Sequence, residues 1–304
     1  MPGRLSNRAM PWTRALFAIP VAAAVVFSVP ASGQIAQERV DLDAVARIRQ
    51  EGLERSQIPE LARHLTDVIG PRLTGSPGMK AANEWTAATL KSWGLAGVEV
   101  EPWGRFGRGW ENVSYEGRIL TPYSQAMPGQ ASAWTGSTKG TITAPVVVVE
   151  GGADSIAKYG TRLRGALVLL APPRPLPPEF GESERRTPID SLFAPVNQRP
   201  RAPIGWDTLL VRIQKQQAHG DSLLRAAGVA GVITGSGSAY GTIRGGGDWS
   251  ATNPDAPIPV PTVIVPQEQY NEMYRNVTSG VPVKVQLNVQ NRFLTDDLNA
   301  YNTL

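Results

Sequence analysis

The stretch DVIGPRLTGSPGMKAANEWTAATLKSWGLAGVEVEPWGRFGRGW, residues 67–110, contains the clearest structural signals of the chain. Its centre predicts a helix that begins at Ser76-Pro77, because serine is a favoured N-cap and proline is favoured at the first helical position. The helix is expected to end at Gly94, since glycine commonly stops helices. A turn over 70–75 precedes this helix, and alternation over 98–103 predicts the first strand after it.

Another helix is predicted just before that turn, over 59–69. Its apolar residues recur at offsets of four, seven and eight, which place them on one helical face: they are Leu61, Leu65, Val68 and Ile69. Pro59 lies in the first turn and Gly70 follows the last, so both ends are marked. A weaker helix is predicted over 43–53.

The phrase GPRLTGSPGMKAANEWTAATLKSWGL (70–95), followed by FGRGW (106–110), carries a family resemblance. It resembles the start of secreted di-zinc exopeptidases of clan MH, the group that includes carboxypeptidase Q and bacterial aminopeptidases. The resemblance implies an α/β fold, namely the incomplete N-terminal part of a zinc-exopeptidase α/β/α sandwich. A generic pair of well-capped amphipathic helices is the alternative reading of the same residues.

The N-terminus predicts an export signal over 1–33. Arg4, Arg8 and Arg14 are followed by an apolar run of small and aliphatic residues, and the small residues of Ala31-Ser32-Gly33 suit a cleavage site. The run is too short for the roughly 20 residues that a membrane-spanning helix needs. We therefore expect a secreted or periplasmic protein with no stable membrane span after cleavage.

Composition limits the other classes of function. The chain of 304 residues is long enough for a substantial core, and its 31 glycines and 26 prolines favour many turns. Removal of the signal takes the formal net charge from +4 to +1, so the basic pI does not indicate nucleic-acid binding. The absence of cysteine excludes disulfides, thiolate zinc sites and cysteine nucleophiles.

The middle of the chain predicts a second β/α unit. Short apolar runs over 144–149 and 165–170 indicate buried strands, a helix is expected over 214–228, and further strands over 229–234 and 258–265. These elements lie in this order.

A helix over 267–277 completes the unit. The phrases GTRLRGALVLL and KQQAHGDSLLRAAGVAGVITG resemble a protease-associated domain, which is commonly inserted in this exopeptidase group. An ordinary small α/β domain is the alternative. The Gly/Ser-rich passage 128–140 is interpreted as a linker that crosses into this unit.

The predicted insert contains a proline-rich loop over 171–206, with nine prolines and the cluster ESERR at 182–186. A loop of this length is uncommon in a compact domain. Two interpretations stay open, a lid over a neighbouring catalytic face or a solvated extended excursion, and the composition favours the second.

The final residues predict strands that return to the first region. Val283, Val285, Leu287 and Val289 alternate with polar residues, which is typical of a half-buried strand. A turn and another strand follow over 296–304. Because a sheet seldom ends a domain without a covering helix, we expect a truncated chain.

The predicted organisation has four parts. They are a signal peptide over 1–33, the N-terminal part of the peptidase domain over 34–137, the protease-associated insert over 138–280, and the return strands of the truncated peptidase domain over 281–304.

The resemblance implies that the two zinc ions belong to the full-length parent, because the family's metal ligands come after this point. We predict no catalytic and no metal-binding residue in this chain, no zinc bound by it, and an unknown substrate-binding set. His64 is interpreted as a packing residue of the 59–69 helix. His219-Gly220-Asp221 spells His-x-Asp, but two such residues on a helix point in different directions.

Other chemistries lack their motifs. TGSGSAYG (234–241) does not form a serine-hydrolase elbow, and neither it nor Gly245-Gly246-Gly247-Asp248 forms a phosphate loop. Asn112 and Asn276 begin short glycosylation patterns, which are weak signals.

The sequence therefore favours the N-terminal portion of an exported zinc-dependent exopeptidase, whose parent hydrolyses terminal peptide bonds of a peptide substrate. The portion itself is expected to be inactive. The alternative is a non-catalytic peptide- or protein-binding module built on a protease-associated domain, and a third hypothesis is a relative that has lost its metal site. The DNA after Leu304 distinguishes the three: a His-x-Asp followed by Glu-Glu favours the enzyme, a stop codon the binding module, and a continuation without these ligands the inactive relative.

Overall fold

The computed structural model describes residues 40–176 and 205–304. The predicted signal peptide and residues 177–204 of the predicted proline-rich loop lie outside the described residues. The chain divides into two compact units, Met1–Gln57 and Ile58–Leu304. In the first unit, helix α1 (Leu42–Glu54) confirms the predicted weak helix, and the Asp41 side chain caps it by accepting from the Ala44 N–H at 2.9 Å.

The second unit begins with helix α2 (Ile58–Arg63), which continues directly into a π-helical segment (His64–Ile69). The predicted helix over 59–69 is confirmed in extent, but its second half is wider than an α-helix. The widening appears in the backbone bond from the Gly70 N–H to the Leu65 carbonyl at 3.1 Å, which spans five residues. The Arg72 guanidinium also donates to the Leu65 carbonyl and, at 2.8 Å, to the Gly70 carbonyl. These bonds satisfy acceptors at the end of the helix.

Helix α3 (Pro77–Ser92) confirms the helix predicted from Ser76-Pro77. The Ser76 hydroxyl accepts from the Met79 N–H at 3.2 Å, and Gly94 adopts the left-handed φ of 86° that ends the helix. The helix packs on a two-stranded antiparallel ribbon of β1 (Val100–Arg105) and β10 (Asn299–Thr303). The Asn83 side chain donates to the Tyr301 carbonyl at 3.0 Å, which ties the helix to the ribbon.

The remaining strands form one mixed sheet of eight, in the order β3-β2-β9-β5-β6-β7-β8-β4. Strands β5 to β8 run parallel to one another, and the other pairs are antiparallel. The strands are β2 (Gly109–Thr121), β3 (Gln125–Ala126), β4 (Gln130–Ala131), β5 (Ile142–Val148), β6 (Leu167–Leu169), β7 (Gly231–Gly235), β8 (Thr262–Val265) and β9 (Lys284–Leu294).

Helices cover both faces of the parallel strands. Leu167 and Leu169 of β6 point to one face, which helix α5 (Gln267–Thr278) covers with Tyr270 and Met273. Val168 points to the other face, where helix α4 (Trp206–Ala227) and the 3₁₀ segment Ala153–Leu163 pack. Burial on both faces explains why these strands read as continuous apolar runs. The α/β class that the sequence predicts is therefore confirmed.

Strand β9 confirms the predicted alternation, because Val285, Leu287 and Val289 are fully buried. It pairs with β2 on one side and with β5 on the other. The strand pairing thus crosses the boundaries predicted at 137/138 and 280/281, while the domain division itself stays a prediction.

The passage 128–140, predicted as a crossing linker, contributes edge strand β4 and buries Ala133 and Trp134 in the core. One predicted helix bound is wrong. Helix α4 begins at Trp206 rather than at Gln214. Trp206, Leu209, Leu210 and Ile213 already follow helical spacing, a signal that the start predicted at Gln214 leaves out. Within residues 40–176 and 205–304, no helix is both long and apolar enough to cross a membrane.

Candidate functional site

A groove of about 500 Å³ runs between helix α4 and the loop 247–257. Six of its lining residues come from α4 and four from the loop. They are Val211, Gln214, Lys215, Ala218, Asp221 and Arg225, and then Ser250, Asn253, Ala256 and Pro257. The α4 residues are spaced by three and four positions, which places them along one side of the helix.

Glutamine side chains of α4 hold one wall of the groove. Gln217 accepts from the Trp249 N–H at 2.9 Å and donates to the Gly247 carbonyl at 3.0 Å. Gln214 donates to the Trp249 carbonyl at 3.2 Å. An amide side chain carries both a donor and an acceptor, so it can replace a neighbouring backbone strand as the partner of a loop.

Asp221 anchors the opposite end of the same wall. Its side chain is 7% exposed, accepts from the Val260 N–H at 2.8 Å and is paired with the Arg225 guanidinium at 2.6 Å. A buried carboxylate requires such partners, because an unpaired charge there is costly. Gln214 and Gln217 thus attach the loop to α4, and Asp221 attaches the segment that follows the loop.

Arg108, from the FGRGW motif, supports the loop from within the protein. It is 5% exposed and donates to the carbonyls of Ala251 at 2.9 Å and Ala256 at 3.0 Å. Its guanidinium lies 4.9 Å from the centre of the Phe293 ring, a cation–π distance. Burial lowers the pKa of Arg108, and the nearby carboxylate of Asp255 opposes that shift.

An aromatic cluster fills the space beside Arg108. The Trp134 ring lies 5.2 Å from Trp249 and 5.8 Å from Phe106, and its indole N–H donates to the Arg108 carbonyl at 2.9 Å. A Cβ at Gly247 would approach the Trp134 ring to 3.0 Å. The close approach of Trp134 therefore gives Gly247 a role in packing. This agrees with the sequence, in which residues 245–248 do not form a phosphate-loop motif.

Asp248 lies beside the groove and binds Ser250. Its carboxylate accepts from the Ser250 N–H at 3.0 Å and from the hydroxyl at 2.5 Å. Burial raises the pKa of Asp248, and the negative charge of Asp221 raises that pKa further. The hydrogen bonds from Ser250 act in the opposite direction and lower the pKa of Asp248. A nucleophilic serine is commonly activated by an adjacent histidine, and the two histidines of the chain lie with Trp85 and Asp154 instead.

The two histidines lie elsewhere. His219 points away from Asp221, toward Asp154, with 3.5 Å between its Nε2 and the carboxylate. The predicted divergence of His219 and Asp221 on the helix is confirmed. His64 stacks on Trp85 at 4.5 Å between ring centres, which confirms its packing role.

No group of three or more His, Cys, Asp or Glu residues that could hold a metal ion occurs within 40–176 and 205–304. The prediction that this chain holds no catalytic and no metal-binding residue stays a prediction. The arrangement offers a groove with charged and polar side chains, whose wall is hydrogen-bonded to α4.

Sequence reasoning missed most of the groove. Gln214 and Gln217 belong to no sequence motif that would indicate a binding site. Asp221 was considered only as part of the His219-Gly220-Asp221 pattern. Arg108 had a signal, the FGRGW motif, but its partners lie more than 140 residues away in the sequence. An arginine inside a run of glycine and aromatic residues is the feature that could have indicated a buried cation.

The fold defines the class: a mixed α/β protein with a mixed sheet, similar to peptidases of the M28 group. A solved structure titled Peptidase M28 precursor, from Shewanella amazonensis SB2B, matches 86% of this chain with a TM-score of 0.51 and 17% identity. The match covers 52% of that chain, so the present chain spans about half the length of the structure it resembles.

Two further solved structures match with lower TM-scores. An aminopeptidase from Aneurinibacillus sp. strain AM-1 matches with a TM-score of 0.43 and 18% identity, over 82% of this chain and 48% of that chain. A zinc aminopeptidase from Bacillus subtilis matches with a TM-score of 0.41 and 15% identity, over 80% of this chain and 44% of that chain. No protein-family model and no curated protein matches the sequence.

Proposed function

We propose that this chain is the N-terminal portion of an exported zinc-dependent exopeptidase of clan MH, carboxypeptidase Q-like or bacterial aminopeptidase-like, with an inserted protease-associated domain. The observation that carries the proposal is the fold, which resembles a Peptidase M28 precursor over 86% of this chain but only 52% of that protein. The motifs over 70–95 and 106–110 support the same assignment.

The parent hydrolyses terminal peptide bonds of peptide substrates. Two zinc ions bound by the parent would activate a water and polarise the scissile carbonyl. The described residues do not fit a zinc site, since no group of three candidate ligands occurs among them, and no step of the hydrolysis is assigned to them. Their part is the scaffold of α2, α3 and the sheet, with the groove along α4.

Export is the second element of the proposal. The arginines, apolar run and small residues of 1–33 suit a signal peptide, which places the mature protein in the periplasm or outside the cell.

The test compares the 304-residue chain with the product of the complete open reading frame that contains it. Each is incubated with one peptide in three forms, unblocked, N-acetylated and C-amidated, and released amino acids are measured by mass spectrometry. We expect the complete product to release terminal residues, to lose that activity with 1,10-phenanthroline and to regain it with zinc. The 304-residue chain is expected to be inactive.

The blocked forms identify the terminus that is attacked. Loss of cleavage on acetylation indicates an aminopeptidase, and loss on amidation a carboxypeptidase. A complete product without metal-dependent release would refute the exopeptidase proposal. Release of amino acids by the 304-residue chain alone would refute the prediction that this chain is inactive.

A second candidate is a non-catalytic module that binds peptides or proteins. The observation that favours it is the groove, whose wall is fixed to α4 by Gln217 and Asp221 and supported from within by Arg108. A rigid site loses little conformational freedom on binding. Binding of a peptide blocked at both ends tests this function separately from hydrolysis.

A further inference from the structure

The described residues from Ile58 onward form two parts that the chain connects twice. The helix–ribbon part comprises α2, α3, β1 and β10, and the sheet part comprises the eight-stranded sheet with α4 and α5. The chain passes from one part to the other over 106–108, between β1 and β2, and over 295–298, between β9 and β10. The orientation of the two parts therefore depends on how these two crossings are held.

The two crossings lie side by side and are hydrogen-bonded to each other. The N–H groups of Phe106 and Gly107 both donate to the Leu298 carbonyl, at 2.8 Å and 3.0 Å. A Cβ at Gly107 would overlap the Thr252 carbonyl oxygen, so the first crossing also packs closely on the loop of the sheet part. A rotation of one part against the other would have to break these contacts.

Arg108 fixes the first crossing to the sheet part through both its backbone and its side chain. Its N–H donates to the Thr252 carbonyl at 2.7 Å, and its carbonyl accepts from the Trp134 indole N–H at 2.9 Å. Its guanidinium donates to the carbonyls of Ala251 and Ala256. Because all these partners belong to the sheet part, Arg108 cannot follow a movement of β1 without losing buried hydrogen bonds.

The turn before α3 rests on the start of β2. A Cβ at Gly75 would lie 3.0 Å from the Gly109 Cα, and a Cβ at Gly109 would overlap the Gly75 carbonyl oxygen. Leu73 of the same turn and Phe106 pack against the core of the sheet part. The motifs over 70–95 and 106–110 therefore meet at the junction between the two parts.

We propose that this junction is a rigid joint, which holds the helix–ribbon part in one orientation against the sheet part. Arg108 and the contact between Gly75 and Gly109 are the features that fix it. Parts of a chain joined by short segments move relative to each other unless their contact prevents it. The inference goes beyond the proposed function and does not depend on hydrolysis.

Double electron–electron resonance on the full 304-residue chain tests the joint. The chain has no cysteine, so spin labels attach only at two introduced cysteines. One pair combines Ala88→Cys on α3 with Gln216→Cys on α4, and the other combines Ala88→Cys with Thr143→Cys on β5; all three positions are exposed. We expect one narrow distance distribution for each pair. A broad or two-peaked distribution without further substitution would overturn the proposal.

Two substitutions should loosen the joint in different ways. Gly109→Ala inserts a methyl group where the Gly75 carbonyl oxygen lies, and Arg108→Met removes the side-chain bonds to the loop. Each should widen both distance distributions by about twofold or more. The matched controls should leave the widths unchanged: Gly220→Ala meets only ordinary contact, and Arg105→Met alters an exposed position of β1.

The widths are compared only between proteins whose circular dichroism matches that of the wild type, so that partial unfolding is not counted as loosening. Unchanged widths in a folded Gly109→Ala or Arg108→Met variant would refute the contact that it removes, and unchanged widths in both would refute the joint. Where a variant does not fold, the other variant and the wild-type distributions decide. A failure here leaves the exopeptidase proposal untouched, because that proposal is judged by amino-acid release from the complete product.

Discussion

Arg108 is a buried cation whose hydrogen-bond partners are backbone carbonyls. Its guanidinium bonds to Ala251 and Ala256 and packs on the Phe293 ring. Carbonyls that lose a buried donor cannot recover water, so the cost of removing the arginine includes their desolvation. The FGRGW motif therefore acts on the stability of the groove wall.

Replacement of Arg108 by methionine should lower the free energy of unfolding by about 3 kcal/mol, because two charge-assisted bonds are lost and the buried bond to the Ala251 carbonyl and the partly buried bond to the Ala256 carbonyl are not replaced. Urea denaturation followed by tryptophan fluorescence measures the effect. Arg105→Met is the matched control, since Arg105 is exposed on β1. Equal stabilities of the two variants would contradict the assigned role.

Asp248 provides a pH-dependent prediction. Burial raises the pKa of its carboxyl above the ordinary value of 3.8, so the folded state binds the proton more tightly than the unfolded state. Its contribution to stability is therefore complete below 3.8 and is lost as the pH rises through the folded-state pKa. Asp248→Asn keeps an oxygen acceptor for Ser250 and removes the charge.

The free energy of unfolding of Asp248→Asn relative to the wild type should consequently increase between pH 3 and pH 7. The difference between the two proteins is the quantity to follow, because other titrating groups cancel in it. A difference that is flat with pH, or that falls, would contradict the assignment of burial as the cause.

The histidines illustrate which residue roles a sequence can predict. His64 falls within a helical pattern, so a packing role follows from local spacing, although its partner Trp85 on helix α3 does not. The partner of His219 could not be predicted, because Asp154 comes from a segment 65 positions earlier in the sequence. The groove has the same limit, since it forms only where α4 meets a loop that follows β7.

At the scale of elements, two helical glycines have opposite surroundings. A Cβ at Gly78, in the first turn of α3, would lie 2.1 Å from the Pro71 carbonyl oxygen. A Cβ at Gly220, within α4, would meet only the Ala153 Cβ at 3.5 Å, which is ordinary contact. The first site therefore requires glycine and the second does not.

Gly78→Ala should destabilise the protein by about 2 kcal/mol or more, because backbone must move to admit the methyl group. Gly220→Ala should stabilise it by about 0.5–1 kcal/mol, since alanine loses less backbone entropy in a helix. Each variant is the control for the other in one urea titration series. Changes of the same sign would refute the contrast.

The predictable elements were those whose signals are local. Ser76 and Pro77 mark the start of α3 by capping and ring geometry, and alternation marks β9. Arg72 bonds to the carbonyl end of the π-helical segment His64–Ile69, and Trp134 of the passage 128–140 inserts into a core built by distant strands. Such effects arise from tertiary contacts that the local pattern does not contain.

The whole molecule combines parts with different numbers of supporting contacts. Strand β6 pairs on both sides and all three of its residues are buried. The β1–β10 ribbon has only two strands, and Trp103 on it is 58% exposed. In helix α1 no residue is buried. Local opening is easiest where few apolar contacts hold the backbone hydrogen bonds.

Amide hydrogen exchange of the 304-residue chain should therefore rank these parts. The amides of β6 and of the central part of β9 should exchange only by global unfolding, and those of the β1–β10 ribbon faster by about a hundredfold or more, because two-stranded ribbons are marginal by themselves. Amides of α1 should exchange fastest. Mass spectrometry of peptic fragments provides the measurement, and matched intrinsic rates provide the control. Ribbon amides as slow as those of β6 would mean that something covers the exposed face around Trp103, and the ranking would be wrong.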